Sequence, residues 1–183
     1  MYHLSDIILG ETEERGIKQK SLADRTGMKL CRVHNILNLK ADPTVDETLL
    51  FFSLYNLKIQ QRRFEKTKLK DQLVELQNIA DNYLNNEDIG YEDYKTKLYT
   101  ELTKAIEYLC EEKSVEIKAL AAILNQNYIN FRRSVVGTNK MKGHLLIALL
   151  LHYRYEVVNL DKEVVIDAES LEENMHSIKS FIE

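Results

Sequence analysis

The sequence of 183 residues has little of what interrupts helices or cross-links chains. It contains six Gly, one Pro, two Cys and no Trp. So little Gly and Pro excludes collagen-like and turn-rich all-β designs and favours helices joined by short polar loops. Cys31 and Cys110 lie far apart in the chain. They offer neither a disulfide framework nor a metal-ligand spacing, so we expect a reducing, cytoplasmic compartment.

Export and membrane signals are also missing. The first residues, MYHLSDIILGETEERG, lack the charged head, long apolar run and small-residue cleavage site of a signal peptide. The longest strictly apolar run, Leu145 to Leu151, has seven residues, whereas a membrane span needs about 20. With 44% hydrophobic and 30% charged residues, the composition favours a folded chain without membrane contact.

Motifs for catalysis are missing too. The sequence has no H-E-x-x-H, no paired-cysteine spacing, no Gly-rich phosphate loop and no G-x-S-x-G. Its five histidines are scattered, and His144 and His152 would lie about 12 Å apart on one helix, too far to chelate one metal. We therefore expect no enzymatic activity, no catalytic residues, no metal and no cofactor.

The net charge of −4 is distributed unevenly. Residues 15–40 carry seven Lys and Arg against Asp24 alone, a local charge of +6. Residues 113–143 carry six against Glu116 alone, a local charge of +5. A basic window is often only a solvated helix face, and it indicates nucleic-acid binding when it coincides with a docking motif.

The first basic window contains such a motif. The segment KQKSLADRTGMKLCRVHNILN (18–38) predicts two short helices around a tight turn, with Gly27 in the left-handed conformation. Val33, Ile36 and Leu37 recur at helical spacing and are predicted to face the core. Thr44 and Glu47 form a capping box for the apolar helix that follows, 46–57.

Residues 15–57, RGIKQKSLADRTGMKLCRVHNILNLKADPTVDETLLFFSLYNL, resemble a Cro/CI-type (XRE-like) helix-turn-helix domain. Leu39 departs from the pattern, since the family often has Gly there. The resemblance implies that Gln19 contacts a phosphate and that Lys29, Leu30, Cys31, His34 and Asn35 face the major groove, with Arg32 beside them. The candidate DNA-binding residues are Gln19, Lys29, Leu30, Arg32, His34, Asn35, Asn38 and Lys40.

A second copy of this motif is found 98 residues further along the chain. The offset lays Leu22 over Leu120, Ala23 over Ala121 and Gly27 over Asn125, and Asn tolerates the left-handed turn well. Ile36 meets Ser134, so Val135 is predicted to take its place in the core. This divergent helix-turn-helix binds DNA or a protein partner, with candidate residues Asn127, Tyr128, Asn130, Arg132, Arg133 and Lys140.

The predicted fold is all-α, with two helix-turn-helix bundles in tandem joined by a helical linker. We expect an N-terminal domain over 1–66, a linker and hinge over 67–93, the divergent domain over 94–160 and a tail over 161–183. Val164 to Ile166 can be a strand or an extended segment. Ser170 and Glu173 form a capping box for a terminal helix.

From the resemblance we expect a transcriptional regulator, more specifically a repressor, of phage or mobile-element type that binds duplex DNA sequence-specifically. It would act as a homodimer or through two readers in one chain, in the cytoplasm of a bacterial or phage-infected host cell. The alternative is a phage-encoded inhibitor similar in layout to some anti-CRISPR proteins. Its N-terminal copy would autoregulate its gene, and its C-terminal half would bind a protein such as a nuclease.

Overall fold

The computed structural model describes residues 4–61, 67–86 and 88–166. This part of the chain forms nine helices: α1 (Leu4–Glu14), α2 (Gln19–Thr26), α3 (Leu30–Leu37), α4 (Val45–Leu54), α5 (Lys68–Asn85), α6 (Tyr91–Lys113), α7 (Ile117–Ile123), α8 (Tyr128–Val135) and α9 (Gly143–His152). It also forms three strands: β1 (Leu57–Gln61), β2 (Tyr155–Asn159) and β3 (Val164–Ile166).

The helical prediction is confirmed, but the strictly all-α prediction is wrong. The strands form one antiparallel sheet in the order β1-β2-β3. β1 pairs with a strand that lies 98 residues further along the chain, and a local sequence pattern does not reveal so distant a partner. β3 covers Val164 to Ile166, which the sequence predicts as a strand or extended segment.

The elements of the first half recur at an offset of 98 residues. α2, α3, α4 and β1 correspond to α7, α8, α9 and β2, with boundaries that agree to within one residue. Left-handed backbone conformations recur at the same offset, in the pairs Gly16/Ser114, Gly27/Asn125, Leu39/Gly137 and Asn56/Arg154. The conformation predicted for Gly27 and Asn125 is confirmed, and Leu39 adopts the one that Gly137 has in the second half.

The two halves meet through backbone pairings in which residues face their own counterparts. The N–H of Val45 donates to the carbonyl oxygen of Met141 (2.9 Å), and the N–H of Gly143 donates to that of Pro43 (2.8 Å). Between these bonds Thr44 faces Lys142 in an antiparallel bridge. In the sheet, the central pair of β1 and β2 is Ile59 and Val157.

Antiparallel pairs in which each residue faces its own counterpart indicate a two-fold rotation between the paired segments. We call the line through the Thr44–Lys142 and Ile59–Val157 pairs the internal two-fold axis. The first pair precedes α4 and α9, and the second lies in the strands that follow them. The two halves are therefore related as the subunits of a symmetric dimer are.

One continuous hydrophobic core fills the space between the halves, with α4 and α9 at its centre. The two helices approach closely at Gly143, where a Cβ atom would lie 1.9 Å from Oγ1 of Thr48. Val45, Leu49, Leu50, Phe51 and Phe52 of α4 are all buried, so the helix is covered on several sides.

α5 and α6 form a helical hairpin that packs against α4. α5 ends at Asn85 and α6 begins at Tyr91, so the predicted linker and hinge, 67–93, contains α5 and the start of α6. The hydroxyls of Tyr91 and Tyr99 donate to the buried carboxylate of Asp46 (2.9 and 3.0 Å). Tyr94 donates to the carbonyl oxygen of the same residue (2.8 Å). These bonds fix the first half of α6 against the start of α4.

Across the described ranges, no helix is both long enough and apolar enough to cross a membrane. The predicted terminal helix that begins after Ser170 lies outside the described residues.

Candidate nucleic-acid interface

The first candidate surface is the outer face of α3. Val33, Ile36 and Leu37 are buried, and they pack with Leu22 and Ala23 of α2 in the core. Gly27 ends α2 in the left-handed conformation and lets α3 begin after a short turn. The opposite face is exposed to solvent. We call it the α3 surface, and its exposed residues are Lys29, Leu30, Cys31, His34, Asn35, Asn38 and Lys40.

Polar contacts join α2 to the α3 surface. Gln19, the first residue of α2, is half-buried, and its Oε1 lies 3.2 Å from Nδ1 of His34. Nδ2 of Asn38 donates to the carbonyl oxygen of His34 (2.7 Å). The structure thus brings three predicted site residues from two helices into one cluster.

Arg32 departs from the other candidates because its guanidinium turns inward to α4 instead of outward. Its Nε donates to Oε1 of Glu47 (2.7 Å), and its Nη2 donates to Oε2 (2.6 Å). Nη2 also donates to the carbonyl oxygen of Asp42 (2.8 Å). The expected outward position of Arg32 is corrected accordingly, since this fork–fork pair occupies the guanidinium within the fold.

The same pair changes the acidity of Glu47. Burial alone would raise the pKa of Glu47, but hydrogen bonds from Arg32 and from the N–H of Thr44 (2.8 Å) outweigh it, so the pKa is lowered. The hydrogen bond to Glu47 raises the pKa of Arg32. The Thr44 contact is the glutamate half of the predicted capping box, so Glu47 both caps α4 and holds α3 against it.

The second candidate surface is the outer face of α8. Phe131 and Val135 are buried, and Val135 takes the predicted core position beside Ser134. Oδ1 of Asn127 accepts the N–H groups of Ile129 (3.0 Å) and Asn130 (3.2 Å), which caps the helix. We call the exposed face the α8 surface, and it comprises Asn127, Tyr128, Ile129, Asn130, Arg132, Arg133 and Val136.

Two residues of the α8 surface were not predicted as site residues from the sequence. Ile129 is 59% exposed and Val136 is 53% exposed. Apolar residues in a short helix are normally assigned to the core face, so the pattern alone gave no reason to place them outside. The offset of 98 residues gives a signal for Ile129, because its counterpart is Cys31 on the α3 surface.

Lys140 lies beyond α8 in a groove that α6 helps to form. The groove is lined by Lys95, Lys104 and Lys140 together with Val136 and Gly137. Lys95 pairs with Glu92 (2.5 Å) and Lys104 with Glu101 (2.7 Å). Lys95 and Lys104 were not predicted as site residues, because only the folded chain brings α6 beside the loop that follows α8.

The two surfaces share a backbone frame but differ in chemistry. The offset pairs Lys29 with Asn127, Leu30 with Tyr128, His34 with Arg132 and Asn35 with Arg133. The Arg32–Glu47 ion pair has no equivalent, since its counterparts are Asn130 and Leu145. The α8 surface is the more apolar at its start and the more arginine-rich at its end.

In the described ranges, no three His, Cys, Asp or Glu residues come close enough together to hold a metal ion. The chain matches no protein-family model, no curated protein and no solved structure.

Proposed function

We propose that the protein binds duplex DNA sequence-specifically and acts as a transcriptional repressor of phage or mobile-element type in the cytoplasm of a bacterial host. In this proposal α2–α3 and α7–α8 are helix-turn-helix motifs. The observation that carries it is the two-sided character of α3. One face of α3 is buried in the core. The other face exposes lysine, asparagine and histidine side chains to solvent.

The α3 surface has the groups that a major-groove reader needs. An α-helix fits into the major groove, where Asn makes bidentate bonds to adenine and an apolar side chain contacts the thymine methyl group. Asn35 and Leu30 suit those two roles. Lys29 and Lys40 flank the helix, where they can neutralise phosphates. Gln19 lies at the start of α2, with its Oε1 3.2 Å from Nδ1 of His34. Binding would then occlude a promoter and would weaken with salt.

The α8 surface supplies different readers. Arg132 and Arg133 are exposed on its outer face, and Arg is the residue most often found on the O6 and N7 atoms of guanine. Lys140 lies in the neighbouring groove, where it suits a phosphate contact. We therefore expect the second half to prefer a sequence richer in G·C pairs than the first half does.

The test is selection of bound duplexes from a random-sequence DNA pool with the full-length chain at near-physiological salt. We expect an enriched motif with two half-sites. Asn35→Ala should relax the preference in one half-site, with a loss of about 1–3 kcal/mol against the preferred base pair. Arg132→Ala should relax the other half-site.

The matched control is Arg154→Ala, which removes an exposed arginine from the sheet end of the molecule and should leave the motif unchanged. A wild-type chain that enriches no motif would contradict the proposed function.

A specific observation favours a second candidate function for the C-terminal half. Tyr128, Ile129 and Val136 expose apolar surface on and just after α8, and exposed apolar patches often mark protein interfaces. The protein-binding inhibitor therefore remains the alternative. It predicts that Ile129→Asp abolishes capture of a protein partner while DNA selection by the α3 surface persists with a single half-site.

A further inference from the structure

We infer that one chain is by itself the complete reading unit, an internal dimer that recognises a single duplex with two inverted but unlike half-sites about one helical turn apart. The inference rests on the proposed function and specifies the partner. It replaces the expected homodimer with a monomer that carries both readers.

The first step is that the helices α3 and α8 lie at the same end of the molecule. Arg32 joins α3 to Glu47 in the first turn of α4 and to Asp42 just before it. α3 therefore lies near the Thr44–Lys142 end of the internal two-fold axis, away from the sheet. A two-fold rotation leaves positions along its axis unchanged, so α8 lies at the same level as α3.

The second step is the span between the surfaces. The N–H of Ala41 donates to the carbonyl oxygen of Asn35 (3.2 Å), and that of Asn139 donates to Arg133 in the second half (3.0 Å). Three residues then lead from Ala41 to the axis at Thr44, so the α-carbons of Asn35 and Arg133 lie within about 40 Å of each other. That span admits major grooves about 34 Å apart on one face of the duplex and excludes grooves about 68 Å apart.

The third step is that the pairing surfaces a second copy would need are already used within the chain. α4 packs on α9, and β1 pairs with β2. The outer edge of β1 is closed by Gln77 of α5, whose Oε1 accepts the N–H of Ile59 (3.0 Å). The outer edge of β2 is closed by β3. In the described part of the chain, the symmetric contacts through α4, α9 and the paired strands are therefore made within one chain.

The fourth step is that the half-sites must differ. A homodimer presents the same side chains twice and selects a palindrome. Here His34 and Asn35 on one surface correspond to Arg132 and Arg133 on the other. The internal two-fold axis inverts the orientation of α8 relative to α3. Because the hydrogen-bonding side chains of the two surfaces differ, they select different bases.

The experiment uses the duplex enriched by selection and the full-length chain. Native mass spectrometry should give one chain per duplex. Inserting 5 base pairs between the half-sites turns one of them to the opposite face and should lower the affinity by about tenfold or more, since one half-site is lost. Inserting 10 base pairs should not restore binding, because the span of the two surfaces is fixed by the core.

A double-mutant test assigns each surface to its half-site. On DNA with the first half-site scrambled, Asn35→Ala should have no further effect, while Arg133→Ala should still weaken binding severalfold. Two chains per duplex, a perfect palindrome as the preferred site, or indifference to the 5-base-pair insertion would each overturn the inference while leaving sequence-specific binding intact. Failure to enrich any motif would instead overturn the proposed function.

Discussion

The side chain of Arg32, on α3, is bound within the fold and does not face solvent with the other polar residues of the helix. Its guanidinium forms two hydrogen bonds with the carboxylate of Glu47 and one with the carbonyl oxygen of Asp42. It is therefore a positioning residue, which sets the orientation of α3 against α4.

Replacing Arg32 should destabilise the protein. In Arg32→Ala the buried carboxylate of Glu47 loses its charged partner, so we expect the free energy of unfolding to fall by about 1–3 kcal/mol. The measurement is chemical denaturation at neutral pH. Arg25→Ala, which removes an exposed arginine from α2, is the control and should change stability by less than about 0.5 kcal/mol.

The pH dependence of this difference has a definite sign. The pKa of Glu47 is lower in the folded chain than in the unfolded chain, so its contribution is complete above the ordinary glutamate pKa of about 4.3. It is lost as the pH falls through the lowered value. The gap between wild type and Arg32→Ala should thus narrow in acid, and a gap that widens there would contradict the assigned ion pair.

At the level of elements, the contact between α4 and α9 holds the halves together. Gly143 opens α9 with φ in the ordinary range, but its Cβ position lies 1.9 Å from Oγ1 of Thr48 and 3.0 Å from Cδ2 of Leu4. A glycine is needed there for the close approach of the two helices. Its counterpart in the first half is Val45, so the two-fold relation is broken by packing at this position.

Gly143→Ala should therefore destabilise the protein by about 1–3 kcal/mol, the usual cost of overpacking a core. Gly10→Ala is the matched substitution, because Gly10 lies within α1 with nothing within 4 Å of its Cβ position. There we expect a gain of about 0.5–1 kcal/mol from helix propensity. Thermal unfolding of the two variants checks whether Gly143→Ala lowers stability and Gly10→Ala raises it. An unchanged stability of Gly143→Ala would show that the packing between α4 and α9 can relax.

At the level of elements, the sequence predicted local features but not contacts between residues far apart in the chain. The helices and the turns at Gly27 and Asn125 follow from local spacing, because each depends on residues close together in the chain. The offset of 98 residues was found by comparing the sequence with itself. β1 was missed although Leu57 and Ile59 alternate with polar residues, since five residues carry a weak signal and their partner is distant. The inward turn of Arg32 was missed because Glu47 lies 15 residues further along.

At the scale of the whole molecule, the internal two-fold axis relates the positions of the two basic windows to each other. The chain is acidic overall, with a net charge of −4, yet its two basic windows contain α3 and α8. The axis puts these helices at one end and the sheet at the other. If the protein binds DNA as proposed, these basic windows would attract the duplex to that end of the molecule.

The most direct test of this account is hydroxyl-radical footprinting of the complex between the full-length chain and its selected duplex. The account predicts two protected patches on one face of the DNA, centred about one helical turn apart. Arg132→Ala combined with Arg133→Ala should remove one patch and leave the other. A single patch in the wild-type complex, or no protection at all, would contradict it.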